Sequence, residues 1–186
     1  MLRIGIDIDG VLTDFVKEFI KSVNKRYKIT LSEQDIREHD LYKVLGIPSK
    51  DLIEMVMEVF PKDLAPQEGS VESVNELSKK HEIYIITARE PETLDVSKNW
   101  LKQHGIPYKK LAFMKEGDKH KFIEKDHLDI VIDDNLKEIT NWIGIVPHII
   151  VLDHPWNQSL NVKNYFHRAK DWKEILSIIK EIEKEN

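Results

Sequence analysis

The chain has 186 residues, 41% hydrophobic and 33% charged, enough apolar material for one well-cored domain and too much for a disordered chain. Its formal net charge of -5 weighs against a nucleic acid polymer or an anionic membrane as partner, and the absence of cysteine excludes disulfides and thiol chemistry and suits a cytoplasmic chain. No signal-peptide pattern opens it, and the longest weakly polar stretch, NWIGIVPHIIVL, is shorter and more interrupted than a membrane span of roughly 20 residues.

The first run, RIGIDI within MLRIGIDIDGVLTDF, reads as a buried strand, yet Asp7 and Asp9 sit among its isoleucines. A strand's side-chain period of two puts both acids on one face and the isoleucines on the other. From Phe15 to Leu64 no strand pattern occurs; Phe15, Phe19, Ile20 and Val23 recur at helical spacing, as do Leu52, Val56, Val59 and Phe60. This predicts a small helical cap over residues 15–64, inserted after the first strand, with residues 1–14 and 65–186 forming the core domain. PKDLAPQEGS, with Pro61, Pro66 and Gly69, reads as the return linker.

Alternation follows. SVESVNELSKKH sets Val71, Val74 and Leu77 on one helical face, EIYIIT is a strand ending at Thr87, and PETLDVSKNWLKQHG reads as a helix between Pro91 and Gly105. KLAFM, LDIVID and HIIVLD complete five strands, and DWKEILSIIKEIEKEN begins with a capping-box spacing, Asp171 and Glu174, before Ile175, Ile178, Ile179 and Ile182 recur at helical period. Trp156 and Trp172 are expected to pack the last strand loop against this helix. Strand–helix alternation of this kind predicts an α/β, Rossmann-like parallel sheet of about five strands flanked by helices.

Ligands gather at the carboxyl ends of parallel strands, where loop amides and helix N-termini converge. Asp7 and Asp9 lie at one such end, and Asp133 and Asp134, in IVIDDN, lie at another. If the two strands are neighbours, these acids form an oxygen cage for a hard divalent cation, for which Mg²⁺ is the natural candidate. Thr87 offers a hydroxyl at a third strand end, and Lys119, in EGDKHKF, offers a cation. His148, Asp153 and His154 flank a strand and Pro155 without helical ligand spacing, which favours a loop role over a transition-metal site.

In this order, DIDGVLTD, IITAR, DK and IDD resemble the four motifs of the haloacid dehalogenase-like phosphohydrolases. Within that superfamily the chain is most similar to the 5′(3′)-deoxyribonucleotidase group, in DGVLTDF, PQEGSVESVNEL, HPWN and the terminal DWKEIL. The resemblance implies strand order 5-4-1-2-3 and a Mg²⁺-dependent phosphomonoesterase acting on a small phosphorylated substrate, a nucleoside monophosphate. Asp7 becomes the nucleophile that forms an aspartyl-phosphate. Asp9 becomes the group that donates a proton to the leaving alkoxide and later deprotonates water. Asp134, with Asp133 beside it, would hold Mg²⁺ together with the Asp7 carboxylate and the Asp9 backbone carbonyl, either acid being the direct ligand. Thr87 would hydrogen-bond the transferring phosphoryl group and Lys119 would offset its charge, with Lys121 as runner-up. Gly10 would let backbone amides approach the phosphate. Phe15 would stack on the base, the other reading of its stripe with Phe19 being cap core. Ala88 and Arg89 would adjoin the phosphate, Arg89 either binding it or pairing with an acid, and Tyr42 and Phe60 are further cap candidates.

Three alternatives follow from the same residues. One is a phosphatase of another small ester such as a sugar phosphate. A second is a non-catalytic relative acting as a binding module. The third is a phosphoacceptor of the response-regulator kind, against which the late position of the second acidic pair, after Thr87 and Lys119, counts. The oligomeric state is left open, a homodimer being one arrangement.

Overall fold

The computed structural model describes residues 1–38, 46–60, 62–159 and 165–185. Six strands, β1 (Arg3–Ile6), β2 (Glu82–Thr87), β3 (Lys110–Phe113), β4 (Ile130–Asp133), β5 (His148–Leu152) and β6 (His167–Ala169), form one sheet in the order β3-β2-β1-β4-β5-β6. Every pairing is parallel. The expected order 5-4-1-2-3 is present, and β6 extends it beyond β5. A three-residue edge strand reading His-Arg-Ala carries too little apolar pattern to be seen in sequence.

Helices cover both faces. On one face Ile4, Ile6 and Ile8 pack with Val74 and Leu77 of α3 (Ser70–Ser78), with Trp100 and Leu101 of α4 (Leu94–Gln103), and with Ile175, Ile179 and Ile182 of α7 (Trp172–Glu185). On the other, Val131, Ile149 and Val151 meet Ile123 of α5 (Lys119–Asp126) and Leu136 and Ile139 of α6 (Leu136–Thr140). A fully buried isoleucine contributes on the order of 2 kcal/mol, so the row Ile4, Ile6, Ile8 anchors the strand register that carries Asp7 and Asp9. At the start of α7 the Glu174 amide donates to Asp171 Oδ1 at 2.9 Å, while the Glu174 carboxylate reaches the Lys170 amide, one residue earlier than in the expected capping box.

Among the described residues of the insertion between β1 and β2 are two α-helices. α1 (Phe15–Tyr27) and α2 (Ser49–Val59) bury their predicted stripes against each other in a separate apolar cluster containing Phe15, Phe19, Val23, Leu52, Met55, Val59 and Phe60. A 3₁₀ turn at Glu33–Asp35 lies between them. The chain returns through Leu64 to Gly69, where the Asp14 amide donates to the Ala65 carbonyl at 2.8 Å and the Gln67 amide to the Leu12 carbonyl at 2.8 Å. The insertion therefore leaves and re-enters at adjacent points above the carboxyl end of β1. Tyr42 lies outside the described residues.

Candidate active site

The site begins where β1 ends. The Asp7 amide donates to the Ile132 carbonyl at 3.0 Å, so pairing with β4 continues one residue past the strand and fixes the Asp7 backbone. The chain then turns sharply, with the Leu12 and Thr13 amides both returning to the Ile8 carbonyl at 2.9 Å. Gly10 has φ +82°, and a Cβ there would lie 2.5 Å from Asp134 Oδ2. Its amide donates to the Thr13 carbonyl at 3.1 Å. Glycine is thus required so that Asp134 can approach the turn, and the Gly10 amide is itself engaged by Thr13.

Asp7, Asp133 and Asp134 are buried and offer carboxylate oxygens that all lie within 4.8 Å of one another. Lys119, buried at the start of α5, donates to Asp7 Oδ1 and to Asp133 Oδ2, both at 2.7 Å. Lys121 is exposed and pairs with Asp118, so the lysine brought to the acids is Lys119. The second oxygen of Asp133 accepts the Asn135 amide at 2.8 Å. Burial pushes the Asp7 carboxyl well above the usual range, Lys119 pulls against that, and the charges of Asp133, Asp9 and Asp134 add to it. Burial would lower Lys119, but Asp133 and Asp7 outweigh it and hold the ammonium charged.

Asp9 meets Arg89 in a bidentate pair, Nε to Oδ2 at 2.7 Å and Nη2 to Oδ1 at 2.6 Å, and Thr13 Oγ1 also donates to Oδ1 at 3.1 Å. The remaining guanidinium nitrogen donates to Ser97 Oγ at 3.0 Å, and the guanidinium lies over the Phe60 ring, 4.7 Å from its centroid. Thr87 closes β2, and its hydroxyl accepts the Arg89 amide at 3.2 Å.

A cavity of about 420 Å³ opens above these groups. Asp7, Asp9, Thr87, Ala88, Arg89, Lys119, Asp133 and Asp134 line its floor, and Phe19, Leu52, Ile53, Val56, Met57 and Phe60 form an apolar wall from the insertion. Phe15 is not in that wall. It is 9% exposed, its ring packed against Phe19 and Phe60 at centroid distances of 6.0 and 5.3 Å. A helical stripe identifies the buried side of α1 but not which ring ends at the cavity, and here the aromatic surface facing it comes from Phe60 and Phe19.

Six carboxylates and two cations line the cavity, with Glu90 and Glu116 added to the four aspartates. Such a lining repels a phosphate dianion. It also matches a divalent cation: hard oxygen donors, several of them buried, with more negative charge than Lys119 and Arg89 offset. The donor set therefore fits Mg²⁺.

The family described as 5′ nucleotidase, deoxy (pyrimidine), cytosolic type C protein matches residues 1–184. The chain belongs to that family. It is a hydrolase of the nucleotidase and phosphatase type, with the haloacid dehalogenase-like fold. A 5′(3′)-deoxyribonucleotidase of Bacillus subtilis is 30% identical over 176 residues, covering 92% of this chain and 95% of its own. A haloacid dehalogenase-like hydrolase of Streptococcus pneumoniae superposes with TM-score 0.68 at 15% identity, covering 96% of this chain and 98% of that one. A further haloacid dehalogenase-like protein of Bacillus subtilis, solved with magnesium bound, gives TM-score 0.64 at 12% identity, with 96% and 98% covered. Among the described residues of this nucleotidase-family chain, no helix is long and apolar enough to cross a membrane.

Two parts of the site have no role in the sequence reading, although the second, HPWN, is among the segments that resemble the family. Glu138, buried in α6, accepts the Gly117 amide on Oε1 and so ties down the loop that leads into Lys119; burial raises its carboxyl. Its position four residues after Asp134 in a short helix was the only available signal. The second part is the turn His154–Asn157. Trp156 packs with Ile20 and Ile36 of the insertion, not against α7 as expected, and its indole N–H donates to Asp134 Oδ2 at 2.7 Å. Trp172 does seat α7, donating to the Val11 carbonyl at 3.0 Å.

Proposed function

We propose that the chain hydrolyses nucleoside monophosphates through an aspartyl-phosphate on Asp7, with Mg²⁺ as cofactor, in the cytoplasm. The observation that carries this reading is the buried triad Asp7, Asp133 and Asp134 beneath one cavity, with the Lys119 ammonium 2.7 Å from both Asp7 and Asp133. Asp134 and Asp7 would hold the cation by their carboxylates and Asp9 by its backbone carbonyl. Bound there, Mg²⁺ supplies charge neutralisation and orients phosphate for in-line attack.

Asp7 attacks phosphorus as the leaving oxygen departs. Lys119 neutralises charge on Asp7 and on the transferring group, and Thr87 hydrogen-bonds a phosphoryl oxygen. Asp9 carries the proton to the leaving alkoxide, then takes one from the water that hydrolyses the acyl phosphate. The Arg89 pair holds Asp9 as a carboxylate, so one oxygen must leave the guanidinium and take up a proton from solvent before Asp9 can protonate the leaving alkoxide. Arg89 then faces the phosphate, and Ala88 leaves space for it.

Residues 15–64 act as a cap that closes over the leaving group, and the apolar wall from Leu52 to Phe60 receives the nucleoside. Nucleotide rather than sugar phosphate is favoured by that wall, since a sugar offers little apolar area to bury. The name of the Bacillus subtilis relative supports the deoxy series. The test is phosphate release across ribo- and deoxyribonucleoside monophosphates and sugar phosphates, with and without Mg²⁺. The reading expects Mg²⁺-dependent turnover with a nucleotide as the best substrate. Turnover of sugar phosphates alone would overturn the substrate class, and full turnover after chelation would overturn the cofactor.

A further inference from the structure

One short segment, His154-Pro155-Trp156-Asn157, reaches both loops that meet at the acidic cluster. His154 Nε2 hydrogen-bonds the Gly10 carbonyl at 2.7 Å. The Trp156 N–H donates to Asp134 Oδ2 at 2.7 Å, and Asn157, fully buried, donates through Nδ2 to the carbonyls of Asp134 and Leu152 at 3.0 and 2.7 Å. Asn157 is held in turn from the edge strand by Arg168, at 2.9 Å to Oδ1. The Trp156 ring cannot turn away: the His154 ring stacks on it at 4.1 Å and 7°, and Ile20 and Ile36 pack with it.

We infer that Trp156 is a positioning residue for the metal site: its indole N–H fixes the rotamer of the Asp134 carboxylate against the Gly10 turn, so that this carboxylate is presented to the cation ready-oriented. The inference rests on the proposal that Asp134 holds Mg²⁺. A carboxylate can rotate about two bonds, and a donor that engages one oxygen in a buried setting removes that freedom before the cation arrives. Groups that orient a metal ligand in this way typically change metal affinity about ten- to hundredfold when removed. The packing against Ile20 and Ile36 adds that the insertion supplies the surface holding this donor in place.

Trp156→Phe keeps an aromatic ring and removes the donor. Mg²⁺ affinity is measured by titration calorimetry without substrate, alongside the metal-free melting curve. The inference expects the Mg²⁺ Kd to rise about tenfold or more in a variant that still melts cooperatively. A smaller rise overturns it. Should Trp156→Phe not fold, replacement of Trp156 by 3-benzothienylalanine, whose sulfur stands where the N–H was, keeps the bicyclic volume and is held to the same threshold. If the unsubstituted protein itself fails to bind Mg²⁺, the metal reading falls and this inference with it, whereas equal affinities in protein and variant overturn only the role of Trp156.

Discussion

Arg89 holds both carboxylate oxygens of Asp9, at 2.7 and 2.6 Å, although 80 positions separate them. Arg89 is 6% exposed, its guanidinium braced by Ser97 and covered by Phe60, so it stands between the proposed proton carrier and the apolar wall. A planar fork that engages two oxygens at once cannot be replaced by a point charge. Arg89→Lys is therefore expected to lower kcat/KM for the best nucleoside monophosphate at least about tenfold, roughly 1.4 kcal/mol of transition-state stabilisation. Steady-state kinetics with the melting temperature measured in parallel check this, and wild-type kcat/KM in a folded variant would show the pair to be dispensable.

Phe60 and Phe15 should separate into two classes. Phe60 faces the cavity and carries the guanidinium, so Phe60→Ala should weaken kcat/KM for the nucleotide by about tenfold or more while affecting p-nitrophenyl phosphate less, because stacking on a base contributes roughly 1–3 kcal/mol. Phe15 lies behind it, and Phe15→Ala should cost about 3–5 kcal/mol of stability, visible in denaturant unfolding. Equal losses on both substrates for Phe60→Ala would remove the wall from specificity.

Acidification has a calculable sign at His154. Burial lowers its pKa from the ordinary 6.5, outweighing the Gly10 carbonyl, so below about pH 6.5 the unfolded chain binds the proton more readily than the folded one. Its contribution to stability is full above that pH and is lost as pH falls toward the depressed folded value. Asp7 and Glu138, with raised carboxyls, run in the opposite direction. The informative quantity is the difference: the melting temperature of His154→Gln should fall less between about pH 7.5 and pH 5.5 than that of the unsubstituted protein. An identical fall would show His154 to be protonated in the folded state as readily as in the unfolded one.

Glu138 should act through the loop it ties. Glu138→Gln retains an acceptor for the Gly117 amide and removes a buried charge, so stability should be unchanged or higher. Glu138→Ala removes the acceptor, and the resulting freedom at Lys119 should lower kcat by about tenfold or more, since small misplacements of a positioning group are costly. Comparable kcat for the two variants would show that the loop holds Lys119 unaided.

What could be read beforehand followed from local pattern. Asp7 and Asp9 stand out because charges interrupt an isoleucine run, and Thr87, Asp133 and Asp134 because each ends a β-branched stretch. Both stripes of the insertion were legible for the same reason, whereas the sheet order followed from the family resemblance. Long-range pairings were not: Arg89 could be read as the partner of an acid but not of Asp9 in particular, and HPWN resembles the family without pointing Trp156 to Asp134, 22 positions away. Period alone also left open whether Phe15 or Phe60 meets the cavity, since Phe15 in α1 and Phe60 just after α2 both continue an apolar stripe and only packing between the two helices decides it.

The claim that Asp7 attacks phosphorus can be tested on the protein itself. Enzyme mixed with nucleoside monophosphate and Mg²⁺ is quenched in acid during turnover, reduced with borohydride and mapped by peptide mass spectrometry. An acyl phosphate on Asp7 is reduced to homoserine at that position, and the account predicts this conversion only when substrate and Mg²⁺ are both present, and not in Asp7→Asn. Conversion at Asp9, Asp133 or Asp134 instead, or steady phosphate release with no reducible adduct at any residue, would contradict it.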